Sequence, residues 1–305
     1  MKRLLIVVLA VVCAAALLWG ARAYLGYFHR VQRVTADGAA SPSASPSGPP
    51  SPSGPASPSA SRAPRAAVTA RASPPPSRPP ADALFDDEFS GPAGAAPSSR
   101  WDYDTGYGWD DGRTRQTYTS SRQNSALDGE GHLVITARAD ASVRGGHTSA
   151  RLQTAGTPFR RGTEIQIRAR TSPVEVGAWP AAWTLGEPES DWPAVGEVDV
   201  LENWPSDPVH PSFTPHFAYH TGSSKDGGQY AGVDPTRWHV YQARWTGGRM
   251  EFLVDGRPVA TEPYAATARA TVVLNVAVGY VGGPPAVPWK DFRMEVDYVR
   301  VVPAG

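Results

Sequence analysis

The chain has 305 residues, a formal net charge of zero, 41% hydrophobic residues and a single cysteine, Cys13, which excludes a disulfide framework and a cysteine metal site. The neutrality joins unlike parts: residues 1–82 hold nine Lys/Arg and two acids, which leaves twenty Lys/Arg against twenty-seven acids for residues 83–305. A folded part of that sign has no basic surface suited to a polyanion, so no nucleic-acid partner is expected.

Lys2 and Arg3 precede an apolar run from Leu4 to Gly20, the order of an export signal. Ala21-Arg22-Ala23 offers a cleavage site, whereas Tyr24 to Phe28 prolongs the apolar character towards the roughly 20 residues that span a bilayer. Residues 1–33 therefore read as a signal peptide or as a membrane anchor with its flank. Both place the rest of the chain outside, secreted or membrane-anchored. Residues 34–82 read as a disordered Pro/Ser/Ala linker: thirteen prolines and eleven serines fall within residues 41–80, too little apolar surface to offset ordering. Proline density favours extended geometry at about 3 Å per residue. Residues 83–305 remain as one domain, large enough to bury a core unaided.

Strand signals dominate that domain. The segment after the Asp128-Gly129 turn, residues 132–137, is strand-like. In residues 164–170 strict alternation puts Ile165, Ile167 and Ala169 on one face. Residues 238–245 and 250–254 follow, and Asp255-Gly256 then marks a hairpin into Arg257-Pro258-Val259-Ala260. Thr271 to Val278 and Met294 to Val302 complete the series. Antiparallel strands with Gly/Pro turns and no helical alternation predict an all-β sandwich. Nine of the ten tryptophans lie in this domain, more than a core of this size needs.

The stretch Gly196-Glu-Val-Asp-Val-Leu-Glu202 carries the chemistry. On a regular strand Glu197 and Asp199 share a face, and Glu202 has the wrong parity and points among apolar residues. A buried, unpaired carboxylate is costly. One extra residue, a β-bulge at Val200–Leu201, returns Glu202 to the acidic face. The two glutamates are then about four strand steps apart, roughly 13 Å between Cα atoms, and side chains leaning together narrow the carboxylate gap to about 5–6 Å. Retaining glycosidases use a gap of about 5–5.5 Å. Spacing alone leaves a second reading open, an acidic stripe facing solvent. Trp179-Pro-Ala-Ala-Trp183 and Trp192-Pro193 just upstream favour the first, since aromatic faces beside paired acids suit a sugar.

The block Trp179 to Trp183, followed by Trp192-Pro-Ala-Val-Gly-Glu-Val-Asp-Val-Leu-Glu-Asn203, resembles the signature of glycoside hydrolase family 16, in its laminarinase-like branch. Phe85-Asp-Asp-Glu-Phe89, Ser149 to Thr154, Trp238 to Trp245, Leu274 to Gly279 and Val296 to Val301 resemble further family segments in the same order. The resemblance implies a curved β-jelly-roll sandwich of two antiparallel sheets, concanavalin A-like. It implies Glu197 as nucleophile, Glu202 as general acid/base and Asp199 as the assisting carboxylate, with Trp179, Trp183, Trp192, Arg151 and His216 binding substrate. No cofactor is implied for catalysis; a structural calcium ion is, with Glu88, the Gly131 carbonyl and Asp297 as ligands. The implied function is a monomeric endo-glycoside hydrolase of β-1,3-glucan, extending to mixed β-1,3-1,4-glucan. The alternatives are a transglycosylase, a hydrolase of another β-linked polysaccharide, or a non-catalytic glucan-binding module. Residues 203–208 and 212–228 match the family only loosely, so substrate choice is least determined there.

Overall fold

The computed structural model describes residues 78–108, 113–205, 213–222 and 224–305. The expected export segment and nearly all of the expected linker lie outside these residues. The described chain folds as a jelly-roll sandwich of two sheets. The larger has eleven strands. Its path runs Arg257–Pro263, Arg249–Val254, His239–Thr246, Thr163–Thr171, Phe292–Pro303, Leu133–Ala139, His147–Ser149, Gln116–Tyr118 and Gly106–Tyr107. Phe85–Asp87 pairs with Phe292–Pro303, and Ser125–Leu127 with Leu133–Ala139. The smaller sheet has seven strands, in the order Ser224–Gln229, Phe213–Thr221, Glu197–Pro205, Ala178–Gly186, Ala270–Val278, Arg151–Thr154 and Trp101–Tyr103. Every pairing between these strands is antiparallel except that of Gln116–Tyr118 with His147–Ser149.

The expected strands form where the alternation places them. Ile165, Ile167 and Ala169 are fully buried and share one core with Val198, Val200, Val272 and Leu274 of the opposite sheet. Each such aliphatic side chain contributes about 1.5–3 kcal/mol on leaving water. The hairpin expected at Asp255-Gly256 forms with both residues at positive φ, 51° and 72°, as a two-residue turn of primed type requires.

Residues between the core positions of the larger sheet point outward and meet opposite charge. Arg244 donates to Glu164 at 2.7 Å and to Glu251 at 2.8 Å, and Arg170 donates to Glu295. Arg168 donates to Asp297, and Arg300 to Glu88. Except for Arg244 with Glu251, seven residues apart, these partners lie 80 to 212 residues apart and clamp strands that meet only on folding.

Candidate active site

The chain enters the strand Glu197–Pro205 through Gly196, at φ 92°. A Cβ there would stand 2.4 Å from the Tyr264 hydroxyl and 2.6 Å from the Ala266 side chain, so only glycine fits the turn that aims Glu197. The expected bulge is present. Asp199 pairs with Ala218 and Glu202 with His216, so two residues on one strand lie against one on its neighbour. On the other side Trp183 faces Asp199 and Ala182 faces Leu201, with Val200 passed over. Val198, Val200 and Leu201 thus fill the core while Glu197, Asp199 and Glu202 share the outer face of the smaller sheet.

Cross-strand neighbours on that face build the site. Leu185 and His220 flank Glu197, Trp183 and Ala218 flank Asp199, and Ala181 and His216 flank Glu202. Ala181 and Ala218 put no polar group against the acids, and Asp199 and Glu202 are buried. Trp192 donates its indole N–H to Glu197 at 3.0 Å, and Trp179 donates to Glu202 at 2.8 Å. Trp183 donates instead to Asn275 at 2.8 Å, whose amide in turn donates to the Tyr118 hydroxyl. The Arg151 guanidinium lies 5.2 Å from the Trp183 ring centre and pairs with Asp104 at 3.0 Å. His216 stacks on Trp204 with ring centres 3.8 Å apart.

All residues singled out from the sequence for the acids and the sugar cleft therefore gather on one face. His220, whose Nε2 lies 3.5 Å from Glu197, and Asn275 join them, although neither is among the site residues expected from the sequence. The signals were present: alternation in residues 213–221 puts His216 and His220 on one side, and Asn275 is a lone amide in an apolar run.

Burial pushes the Glu197 carboxyl above the ordinary carboxylate range, and the Glu202 charge adds to it; the Trp192 hydrogen bond and Arg151 oppose the rise. Asp199 is raised by burial and then by both glutamates. Glu202 is raised by burial and eased by the Trp179 hydrogen bond. Three such groups, all raised, titrate as a unit. A neighbouring pair in which one carboxyl is charged and the other protonated is what double displacement requires. His220 goes the other way: burial, then the charge of Lys225, lowers its pKa to about 4, so it stands beside Glu197 as a neutral ring.

The calcium set expected from the resemblance does not fit. The Glu88 carboxylate accepts from Arg300 at 2.7 and 3.0 Å, and that of Asp297 from Arg168. The negative charge a calcium ion would need is already met by guanidinium groups. Glu88 and Gly131 do adjoin through their backbones: the Glu88 carbonyl lies 3.9 Å from where a Gly131 Cβ would be.

A two-sheet jelly roll with buried acids crowded on one face defines the class: a β-sandwich glycoside hydrolase. Residues 111–237 match the family model described as an XgeA-like, catalytic GH16 domain. A β-glucanase of Rhodothermus marinus is 32% identical over 244 residues, covering 72% of this chain and 84% of that protein. An endo-1,3-β-glucanase structure from Streptomyces sioyaensis superposes with a TM-score of 0.62 at 29% identity, covering 74% of this chain and 98% of that one. A structure named a pseudo β-1,3-glucanase, from Mycobacterium tuberculosis, gives 0.62 at 26% identity, covering 73% and 100%. The chain belongs to glycoside hydrolase family 16.

Proposed function

We propose that this enzyme is an endo-hydrolase of β-1,3-glucan, extending to mixed β-1,3-1,4-glucan, that works with retention of anomeric configuration. Glu197 attacks the anomeric carbon as a carboxylate while Glu202 gives its proton to the departing glycosidic oxygen. The glycosyl–enzyme ester is then opened by water, which Glu202 deprotonates, and Glu197 leaves as a carboxylate. Asp199 sits between the two and holds the cluster's protonation in register. Trp192 and Trp179 fix the two glutamates through their N–H groups, and Arg151, Trp183 and His216 line the face along which a sugar chain would lie. The observation that carries the reading is the bulge, which places a second buried glutamate on the acidic face.

The test is a product assay on laminarin, barley mixed-linkage glucan, agarose and κ-carrageenan, with Glu197→Ser as control. Short oligosaccharides from laminarin, absent in the control, are expected. Cleavage of agarose or carrageenan alone would overturn the substrate class. A second reading, a glucan-binding domain without turnover, draws on the name of the mycobacterial neighbour; retained binding with no cleavage of any polymer would establish it.

Residues 83–305 form the catalytic domain in this proposal, a monomer. Residues 1–33 direct export or anchoring and residues 34–82 act as a spacer that holds the enzyme outside the cell. The support is the charge-then-apolar order at Lys2 to Gly20 and the Pro/Ser composition that follows. Finding the full-length chain in the cytoplasmic fraction would refute it.

A further inference from the structure

A bulge sets two residues against one and leaves backbone groups without their ladder partners. Here Val200 and Leu201 together oppose Phe217, and Val200 is fully buried, out of reach of solvent. An unanswered carbonyl at such a place is costly. The Tyr230 hydroxyl answers it, donating to the Val200 carbonyl at 2.9 Å. Tyr230 is itself fully buried and follows directly on the strand Ser224–Gln229. Its backbone N–H donates to the Pro215 carbonyl at 2.8 Å, which ties it to the strand paired with the bulge. Its ring lies 5.2 Å from that of Phe217, the residue facing the bulge, and 5.5 Å from Tyr241.

The preceding residue works on the opposite side of the sheet. Gln229 Nε2 is 3.1 Å from His216 Nε2, and His216 is the cross-strand neighbour of Glu202. Adjacent residues thus grip the station of Glu202 from both faces, one through the backbone beneath it and one through the side chain beside it. A phenylalanine would fill the same space between Phe217 and Tyr241; the hydroxyl has one acceptor, and that acceptor belongs to the bulge.

We infer that Tyr230 is a positioning residue for the acid/base glutamate: its hydroxyl holds the Val200 carbonyl, fixes the bulge, and so keeps Glu202 aimed at the glycosidic oxygen. The inference rests on the reading of Glu202 as acid/base. It predicts a defect confined to the two proton transfers of Glu202, because Glu197 lies before the bulge.

The experiment compares Tyr230→Phe with the wild-type chain on two aryl β-laminaribiosides, one with a poor leaving group and one with a dinitrophenolate that departs without protonation. Rates are taken well below the melting temperature of each protein, and Glu202→Ala is run in parallel. Rates are compared as kcat/KM, which reports formation of the glycosyl–enzyme and not its later opening by water; the expected result is a roughly tenfold fall for the poor leaving group, the size of one lost hydrogen bond, with the activated substrate within about twofold of wild type. Equal losses on both substrates, or none on either, would overturn the inference. If Glu202→Ala itself loses kcat/KM equally on both substrates, the acid/base assignment fails, and this inference falls with it by a distinguishable route. A second readout needs no turnover: carbon-13 titration of the glutamate carboxyls. A displaced Glu202 leaves the buried cluster, so its midpoint falls towards the ordinary carboxylate range in Tyr230→Phe; an unchanged titration would overturn the inference.

Discussion

The outward faces of the two sheets both carry acids in alternation along a strand, and they treat them in opposite ways. On the larger sheet Glu164, Glu295 and Asp297 each receive an arginine from another strand. On the smaller sheet Glu197, Asp199 and Glu202 face indole N–H groups, alanines and a neutral histidine, and among the described residues none of the three bonds a guanidinium or ammonium group. The first arrangement clamps strands through ion pairs. The second crowds like groups out of water and leaves protons to be moved. What makes an acidic stripe inert or reactive is the residue across the ladder, not the stripe.

The contrast breaks most visibly at Glu197. Glu197→Gln is expected to lower laminarin hydrolysis by more than the roughly 10²–10⁴-fold typical of losing a general acid or base, since it removes the nucleophile. The same variant is expected to melt higher than wild type at pH 8, because a buried charge has gone. Residual activity within tenfold, or a lower melting temperature, would mean this face is an ordinary acidic stripe.

Glu164→Gln probes the other face. It leaves Arg244 and Gln242 short of a charged acceptor and is expected to cost about 2 kcal/mol in urea unfolding. That is less than for a fully buried pair, because the Arg244 side chain is 33% exposed. Laminarin turnover should not change, and a fall in kcat would show that the two faces are coupled.

Trp192→Phe keeps the ring and removes the N–H held by Glu197. A lost hydrogen bond to a charged group, about 1.5 kcal/mol, predicts roughly tenfold lower kcat/KM. The bond favours the carboxylate, so its loss raises the Glu197 pKa and moves the acidic limb of the pH profile upward. An unmoved limb would mean the indole only packs.

The smallest effect is on stability with pH. A carboxyl whose folded pKa lies above its ordinary value, 4.5 for Glu197 and Glu202, keeps its proton longer folded than unfolded, so stability falls as pH rises beyond that value. His220, lowered from 6.5 to about 4, acts oppositely and costs stability as pH falls through that window. Thermal melts from pH 5 to 9 should show the alkaline decline, and Glu197→Gln should flatten it. A melting temperature that climbs steadily with pH would contradict the buried-acid cluster.

Much of this was legible in the sequence because the deciding rule was local. Parity alone exposed the misfit of Glu202 and so predicted the bulge, and Asp255-Gly256 specified its hairpin. What the sequence hid was non-local. Nothing in Asp297 or Glu88 announces Arg168 or Arg300, which lie 129 and 212 residues away. Two of the three expected calcium ligands, Glu88 and Asp297, are therefore arginine partners in the folded chain. Likewise the indole partners of the two glutamates could be placed nearby from the motif, but not their division, Trp192 to one and Trp179 to the other.

The strand Phe292–Pro303 follows every other strand in the chain, yet lies inside the larger sheet, paired with Thr163–Thr171, Leu133–Ala139 and Phe85–Asp87. Residues 85–278 thus cannot complete that sheet by themselves, however long they wait. Such long-range pairing makes for slow assembly with a late commitment step. A polypeptide emerging residue by residue would stay open until its final strand arrives, and the lost segment in a truncation near residue 290 would unmake the middle of a sheet, not fray its end.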